Sequence, residues 1–121
     1  MGLKIYEYKN CDTCRKALKY LDQRQLPYQK FPIVDSPPSR AELKQMLAHL
    51  KERGQGLKNL FNTSGEMYRE LKIADRLRDG LTEKEAIDLL AQNGKLIKRP
   101  FVLSEKSGTV GFKSEVWEEI F

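Results

Sequence analysis

Two cysteines three positions apart, Cys11 and Cys14, sit where one periodicity gives way to another. Upstream, Leu3, Ile5, Tyr6 and Tyr8 form a short run rich in β-branched and aromatic side chains, the composition of a buried strand. Lys9 and Asn10 then turn the chain. Downstream, Cys14, Ala17, Leu18 and Leu21 recur at i, i+3, i+4 and i+7, which is one face of an α-helix. A C-x-x-C at such a strand-to-helix junction constrains what each thiol can do. Cys11 falls at the helix entrance, where free backbone N–H groups and the positive end of the helix dipole favour a thiolate over a thiol. Lys9, Arg15 and Lys16 add positive charge along the same stretch. Cys14, one turn further on and on the apolar face, points inward. The spacing predicts Cys11 as the nucleophile. Cys14 is then placed to attack a mixed disulfide formed on Cys11, leaving an internal Cys11–Cys14 disulfide.

Length and composition narrow the alternatives. A chain of 121 residues has room for one hydrophobic core and not for two, so a single domain over residues 1–121 is expected. Hydrophobic residues make up 40% and charged residues 32%, the balance of a soluble globular protein. No apolar run approaches the roughly 20 residues of a membrane helix. The strand pattern begins almost at Met1, leaving no signal peptide ahead of it, and a cytoplasmic location is expected. Two cysteines in such a chain read as redox chemistry better than as a structural staple. No metal site is expected: besides the cysteines the one good candidate ligand is His49, and three ligands fall short of the usual four. The net charge is +5, but lysines and arginines are interspersed with acids, so direct nucleic-acid binding is not expected. An anionic small molecule or an acidic protein surface fits better.

Taken in order, the first helix closes at Gln25 and Leu26 ahead of Pro27, and Tyr28 to Val34 reads as a second strand. Strand, helix, strand makes a parallel βαβ unit with the cysteines beyond the carboxyl end of its first strand, where α/β sheets bind ligands. Ser39 and Glu42 have capping-box spacing for a helix with a buried stripe of Leu43, Met46, Leu47 and Leu50, ended by Gly54 and Gly56. Leu57, Leu60 and Phe61 form a short apolar segment. Thr63 and Glu66 repeat the capping spacing ahead of a brief helix with Met67, Tyr68 and Leu71 as its apolar positions. Asp75 to Asp79 reads as irregular or a helical turn. Thr82 and Glu85 cap a further helix with Ala86, Leu89 and Leu90 inward, terminated by Gly94. Phe101 to Ser104 and Thr109 to Phe112 read as a β-hairpin, and a last helix starts at Ser114, with Val116, Trp117, Ile120 and Phe121 on its apolar face. The order β-α-β, helices, β-β-α is that of a thioredoxin-like α/β scaffold with an all-helical insertion at about 39–94. A cis bond is expected between Arg99 and Pro100, at the start of the third strand and facing Cys11.

These residues resemble the ArsC family, the glutaredoxin-type arsenate reductases and their Spx-like relatives. The resemblance rests on Cys11-Asp12-Thr13-Cys14-Arg15, Pro37-Pro38-Ser39-Arg40 with Glu42-Leu43, Leu96-Ile97-Lys98-Arg99-Pro100 and Val110-Gly111-Phe112, in order across nearly the whole chain. It implies a thioredoxin-like fold, a redox-active cysteine at Cys11 and an anion-holding role for Arg99 beside Pro100. Arsenate reductases of this type surround that cysteine with three arginines. Here Asn62 and Phe112 occupy two of those positions, and neither offers the charged fork of donors that an oxyanion takes. The resemblance therefore favours thiol–disulfide exchange through Cys11 and Cys14 over arsenate reduction. Lys9, Arg15, Asn62, Thr63, Ser64 and Pro100 are the candidate substrate contacts, Thr63 and Ser64 doubling as helix caps. No bound cofactor is expected. Glutathione or a thioredoxin-type protein would donate electrons, a small thiol or disulfide would be the substrate, and the chain would act as a monomer. The alternative implied by the Spx-like relatives is a redox-sensing transcriptional regulator that docks on RNA polymerase. Many such chains carry a basic segment after the last helix, whereas this sequence ends at Phe121, which places the regulator second.

Overall fold

Strand β1 (Leu3–Glu7) lies inside a four-stranded sheet of order β2-β1-β3-β4, where β2 is Tyr28–Pro32, β3 is Phe101–Leu103 and β4 is Gly108–Val110. The computed structural model describes residues 2–121. β1 runs parallel to β2, with Ile5 opposite Lys30, and antiparallel to β3, with Ile5 opposite Val102; β3 and β4 form the expected antiparallel hairpin. The connection from β1 to β2 is helix α1 (Asp12–Gln23). Gln25 ends it in a left-handed turn at φ 55, and the Leu26 N–H bonds back to the Leu21 carbonyl at 3.0 Å. Between β2 and β3 come α2 (Arg40–Glu52), a 3-10 turn (Leu57–Leu60), α3 (Glu66–Glu70), α4 (Ile73–Arg78), α5 (Glu83–Gln92) and a second 3-10 turn (Gly94–Leu96); α6 (Ser114–Ile120) closes the chain. This is the thioredoxin-like frame with helices inserted between its two halves.

Alternation along the strands sorts the apolar residues onto two faces. Leu3 and Ile5 of β1 and Val102 of β3 meet Ala17 and Leu21 of α1 and Trp117 of α6. Tyr6, Phe101 and Leu103 point the other way, into Leu43, Met46, Leu47 and Leu50 of α2 and the helices that follow. Burying each large side chain contributes about 1.5–3 kcal/mol. On the α1/α6 face Trp117 is enclosed by Tyr20, Phe112 and Phe121, all edge-on, at 5.7, 4.9 and 5.3 Å, and its indole N–H donates to the Gly111 carbonyl at 3.3 Å.

The capping box at Ser39 and Glu42 forms as expected, with the Glu42 N–H on Ser39 Oγ at 3.1 Å and the Ser39 N–H on Glu42 Oε1 at 3.0 Å. Glu42 also receives the Tyr6 hydroxyl at 2.7 Å and the Lys4 ammonium at 3.1 Å, so one carboxylate caps α2 and ties it to β1. Thr82 and Glu85 make the equivalent box on α5. The expectation at Thr63 is corrected. Gly65 is the cap residue of α3, and no side chain bonds that helix end, because Asn62 to Gly65 is a tight turn closed by the Gly65 N–H on the Asn62 carbonyl at 3.1 Å. Asp75 to Asp79 lies mostly within α4, whose buried anchor is Ile73. On α5 the inward set is Ala86, Ile87 and Leu90, with Leu89 half-buried. Gly94 does not terminate α5 by a left-handed turn. It passes under β2's continuation so closely that a Cβ would lie 1.9 Å from the Ile33 carbonyl oxygen. The second strand stops at Pro32, short of Val34, which is exposed.

Candidate active site

Cys11 occupies the N-cap of α1 with extended backbone (φ −123, ψ 111), and its carbonyl accepts the Arg15 N–H at 3.1 Å. Its sulfur takes the place that a serine or aspartate oxygen usually fills at such a cap, accepting the Cys14 N–H at 3.3 Å. An orphan donor of the helix thus points at the thiol. Cys11 is partly exposed, whereas Cys14 is fully buried, and both are free thiols. Burial pushes the Cys14 thiol up to about 12, assisted by its hydrogen bond to Cys11 and opposed by one from the Tyr8 backbone.

The sulfur of Cys11 opens onto a cleft of about 430 Å³ lined by Asn10, Thr13, Asn62, Ser64, Lys98, Arg99, Val110, Gly111, Phe112 and Lys113. Three stretches far apart in the chain meet there. Phe61 and Ile97 form an antiparallel bridge, flanked by the Asn62 N–H on the Leu96 carbonyl at 2.7 Å and the Lys98 N–H on the Leu60 carbonyl at 2.8 Å. That pairing puts Asn62 opposite Leu96 and Lys98 opposite Leu60, and Asn62, Lys98 and Arg99 all line the cleft. The Arg99–Pro100 bond is cis, as expected, and the Pro100 carbonyl accepts the Gly111 N–H at 2.9 Å, which brings in the end of the hairpin. Gly111 turns at φ 76, a conformation that suits glycine. Arg99 is held with its guanidinium 4.2 Å from the Tyr8 ring centroid, a cation–π contact.

Of the residues singled out from the sequence, Cys11, Arg99, Asn62 and Ser64 converge on this cleft, with Cys14 directly behind it. Thr63 is exposed and does not line it. Arg15 is turned away into an ion pair with Asp12 and a bond to the Lys9 carbonyl, and neither Arg15 nor Lys9 lines the cleft. Pro100 is buried beneath it. Phe112, read as the replacement for an arginine, is on the rim. Lys98 and Lys113 were not singled out. Each comes from a different segment, and no local pattern marks a lone lysine as facing a thiol. Among the described residues no ion pair engages Lys98, Arg99 or Lys113, so three uncompensated cations border Cys11. No cluster of potential metal ligands occurs among the described residues, and no helix is long and apolar enough to cross a membrane. The geometry provides a partly exposed sulfur with a backbone donor, a positive cleft for an anionic group, and a second sulfur one helical turn behind.

Comparison with known proteins places this arrangement. A solved structure of an ArsC family related protein from Bacteroides fragilis superimposes with a TM-score of 0.90 at 43% identity, covering 100% of this chain and 98% of that one. The uncharacterized protein YusI of Bacillus subtilis is 42% identical over 119 residues, 98% of each chain. The global transcriptional regulator Spx of Streptococcus pyogenes is 29% identical over 106 residues, 88% of this chain and 75% of that protein. The model of the ArsC family matches residues 6–120, so the thioredoxin-like chain with Cys11 at its helix cap belongs to the ArsC family.

Proposed function

We propose that the protein is a single-domain thiol–disulfide oxidoreductase working in the cytoplasm as a monomer. The observation that carries this reading is the pair itself: a partly exposed Cys11 at a cation-lined cleft, with buried Cys14 donating its N–H to the Cys11 sulfur at 3.3 Å. The Cys11 thiolate attacks one sulfur of a substrate disulfide, forming a mixed disulfide and releasing the other half as a thiolate. Cys14 gives up its proton and attacks the Cys11 sulfur, releasing the second half. The substrate gains two electrons and the protein holds a Cys11–Cys14 disulfide. Glutathione or a thioredoxin-type dithiol restores the reduced form. Arg99, with Lys98 and Lys113, holds an anionic group of the substrate next to Cys11.

Arsenate reduction is a weaker reading, because Asn62 and Phe112 supply no charge where the reductases resembled here supply two arginines. The regulator reading is favoured by one observation, the 29% identity with Spx, and it uses the same two thiols as a sensor that docks on RNA polymerase. Turnover of bis(2-hydroxyethyl) disulfide, coupled to a thioredoxin or glutathione recycling system, separates the two. Catalytic turnover that disappears in Cys11→Ser supports the oxidoreductase. Wild-type rates in Cys11→Ser would refute it. Redox-dependent capture of the RNA polymerase α subunit, without turnover, would favour the regulator.

A further inference from the structure

The cleft at Cys11 does not end at its own rim. Lys98, Val110 and Lys113 also line a second cleft of about 300 Å³, which continues past Asn59 and Gln55 to Arg53 and is closed by Thr109 and Val116. Arg53 stands just after α2 and is tied across the groove to the Gly108 carbonyl, so its guanidinium is fixed at the far end. The two clefts together contain Arg53, Lys98, Arg99 and Lys113 and not one carboxylate. No ion pair among the described residues engages any of the four. Past Asn62 and Arg99 the character changes: a third cleft shares those two residues with the one at Cys11, lacks Lys98 and Lys113, and carries Glu66 and Glu70 beside Lys95. The positive field is therefore one-sided, running from Cys11 towards Arg53.

From this asymmetry we infer that the substrate is a polypeptide disulfide with acidic residues on one flank of its cysteine, the acidic flank lying along Lys98, Lys113 and Arg53. A small disulfide fills the cleft at Cys11 alone and leaves the Arg53 arm unused. An acidic segment continuing from the attacked sulfur reaches all four cations, none of which is held in an ion pair among the described residues. Clefts lined by one sign of charge raise the local concentration of the opposite charge and speed encounter by about 10–1,000-fold. The inference rests on the oxidoreductase reading and names its substrate class.

The test measures the second-order rate at which reduced full-length protein releases 2-thiopyridone from peptides whose single cysteine is activated as a 2-pyridyl disulfide. One pair carries three glutamates before or after the cysteine, and the matched pair carries glutamines. The expected result is that one glutamate order reacts about tenfold faster than its glutamine match, with the advantage shrinking as salt is raised. Gln55→Glu, on an exposed side chain of the arm, and Arg53→Gln should each remove most of that advantage. Gln55→Glu should leave the rate on bis(2-hydroxyethyl) disulfide unchanged. Equal rates for glutamate and glutamine peptides in both orders, with the small disulfide still reacting, would overturn the inference and leave the oxidoreductase reading standing. No reaction with any disulfide would overturn both.

Discussion

The backbone N–H of Cys14 donates to the sulfur of Cys11 at 3.3 Å while the Cys14 side chain itself is fully buried. The two thiols are thus neighbours in different environments. Cys11 is reachable from the cleft, and burial pushes Cys14 up to about 12. When Cys11 is held in a mixed disulfide, its own contribution to that shift disappears and the larger one from burial stays. Resolution by Cys14 should therefore be limited by its small thiolate fraction. The rate at which a Cys11–glutathione mixed disulfide collapses to the internal disulfide is expected to rise close to tenfold per pH unit between pH 7 and 9. Stopped-flow quenching with mass analysis reads this directly, and a flat profile would contradict the assignment of Cys14.

Replacing Cys14 by serine should leave the first attack intact and block the second. Incubated with oxidised glutathione, Cys14→Ser is expected to accumulate a stoichiometric adduct on Cys11, seen as a mass increase reversed by dithiothreitol, while Cys11→Ser accumulates none. An adduct on Cys14 in the Cys11→Ser protein would show that the buried thiol is reachable after all.

Glu42 links α2 to β1 and gives acid stability a specific origin. Burial works against its charge, but the Ser39 N–H, the Tyr6 hydroxyl and the Lys4 ammonium outweigh burial and hold the carboxyl below its ordinary value of 4.5. A group lowered in the folded state adds stability that is complete above its unfolded value and is lost as pH falls through the folded one. Glu42→Gln should therefore cost about 1–3 kcal/mol at pH 7, and the gap from the unsubstituted protein should narrow below about pH 4. Urea melts at pH 7, 5 and 3.5 measure it, and a gap independent of pH would remove Glu42 from the explanation.

Two glycines separate close approach from open space. A Cβ on Gly94 would lie 1.9 Å from the Ile33 carbonyl oxygen, a backbone atom that cannot swing aside, whereas a Cβ on Gly56 meets nothing within 4 Å. Gly94→Ala is expected to destabilise by at least about 1–3 kcal/mol, and Gly56→Ala to stay within about 0.5 kcal/mol of the parent. Thermal melts of the two variants check the contrast.

Most of what spacing and periodicity made legible was local, the parallel β1–β2 pairing apart. The Ser39/Glu42 and Thr82/Glu85 boxes were legible because each is a bond between a side chain and a backbone three residues away. Cys11 at the start of α1 was legible because strand and helix periodicities meet there. Thr63 had the same spacing as the true boxes, yet the turn that carries Asn62 into the cleft took over its helix end. Gly94 read as a helix stop, since only the fold reveals Ile33 passing over it. Lys98 and Lys113 could not be found at all. Their place beside Cys11 depends on the pairing of Phe61 with Ile97 and on the turn at Gly111, both long-range consequences of the fold.

The central claim is that Cys11 and Cys14 form a working redox couple. Equilibrating the protein in glutathione buffers of graded ratio, followed by mass-shift labelling of free thiols, measures the couple directly. The expected result is a reversible internal disulfide with a reduction potential between roughly −200 and −300 mV, within reach of cytosolic donors. If no internal disulfide forms at any ratio, Cys14 is a packing residue and the account given for the pair is wrong.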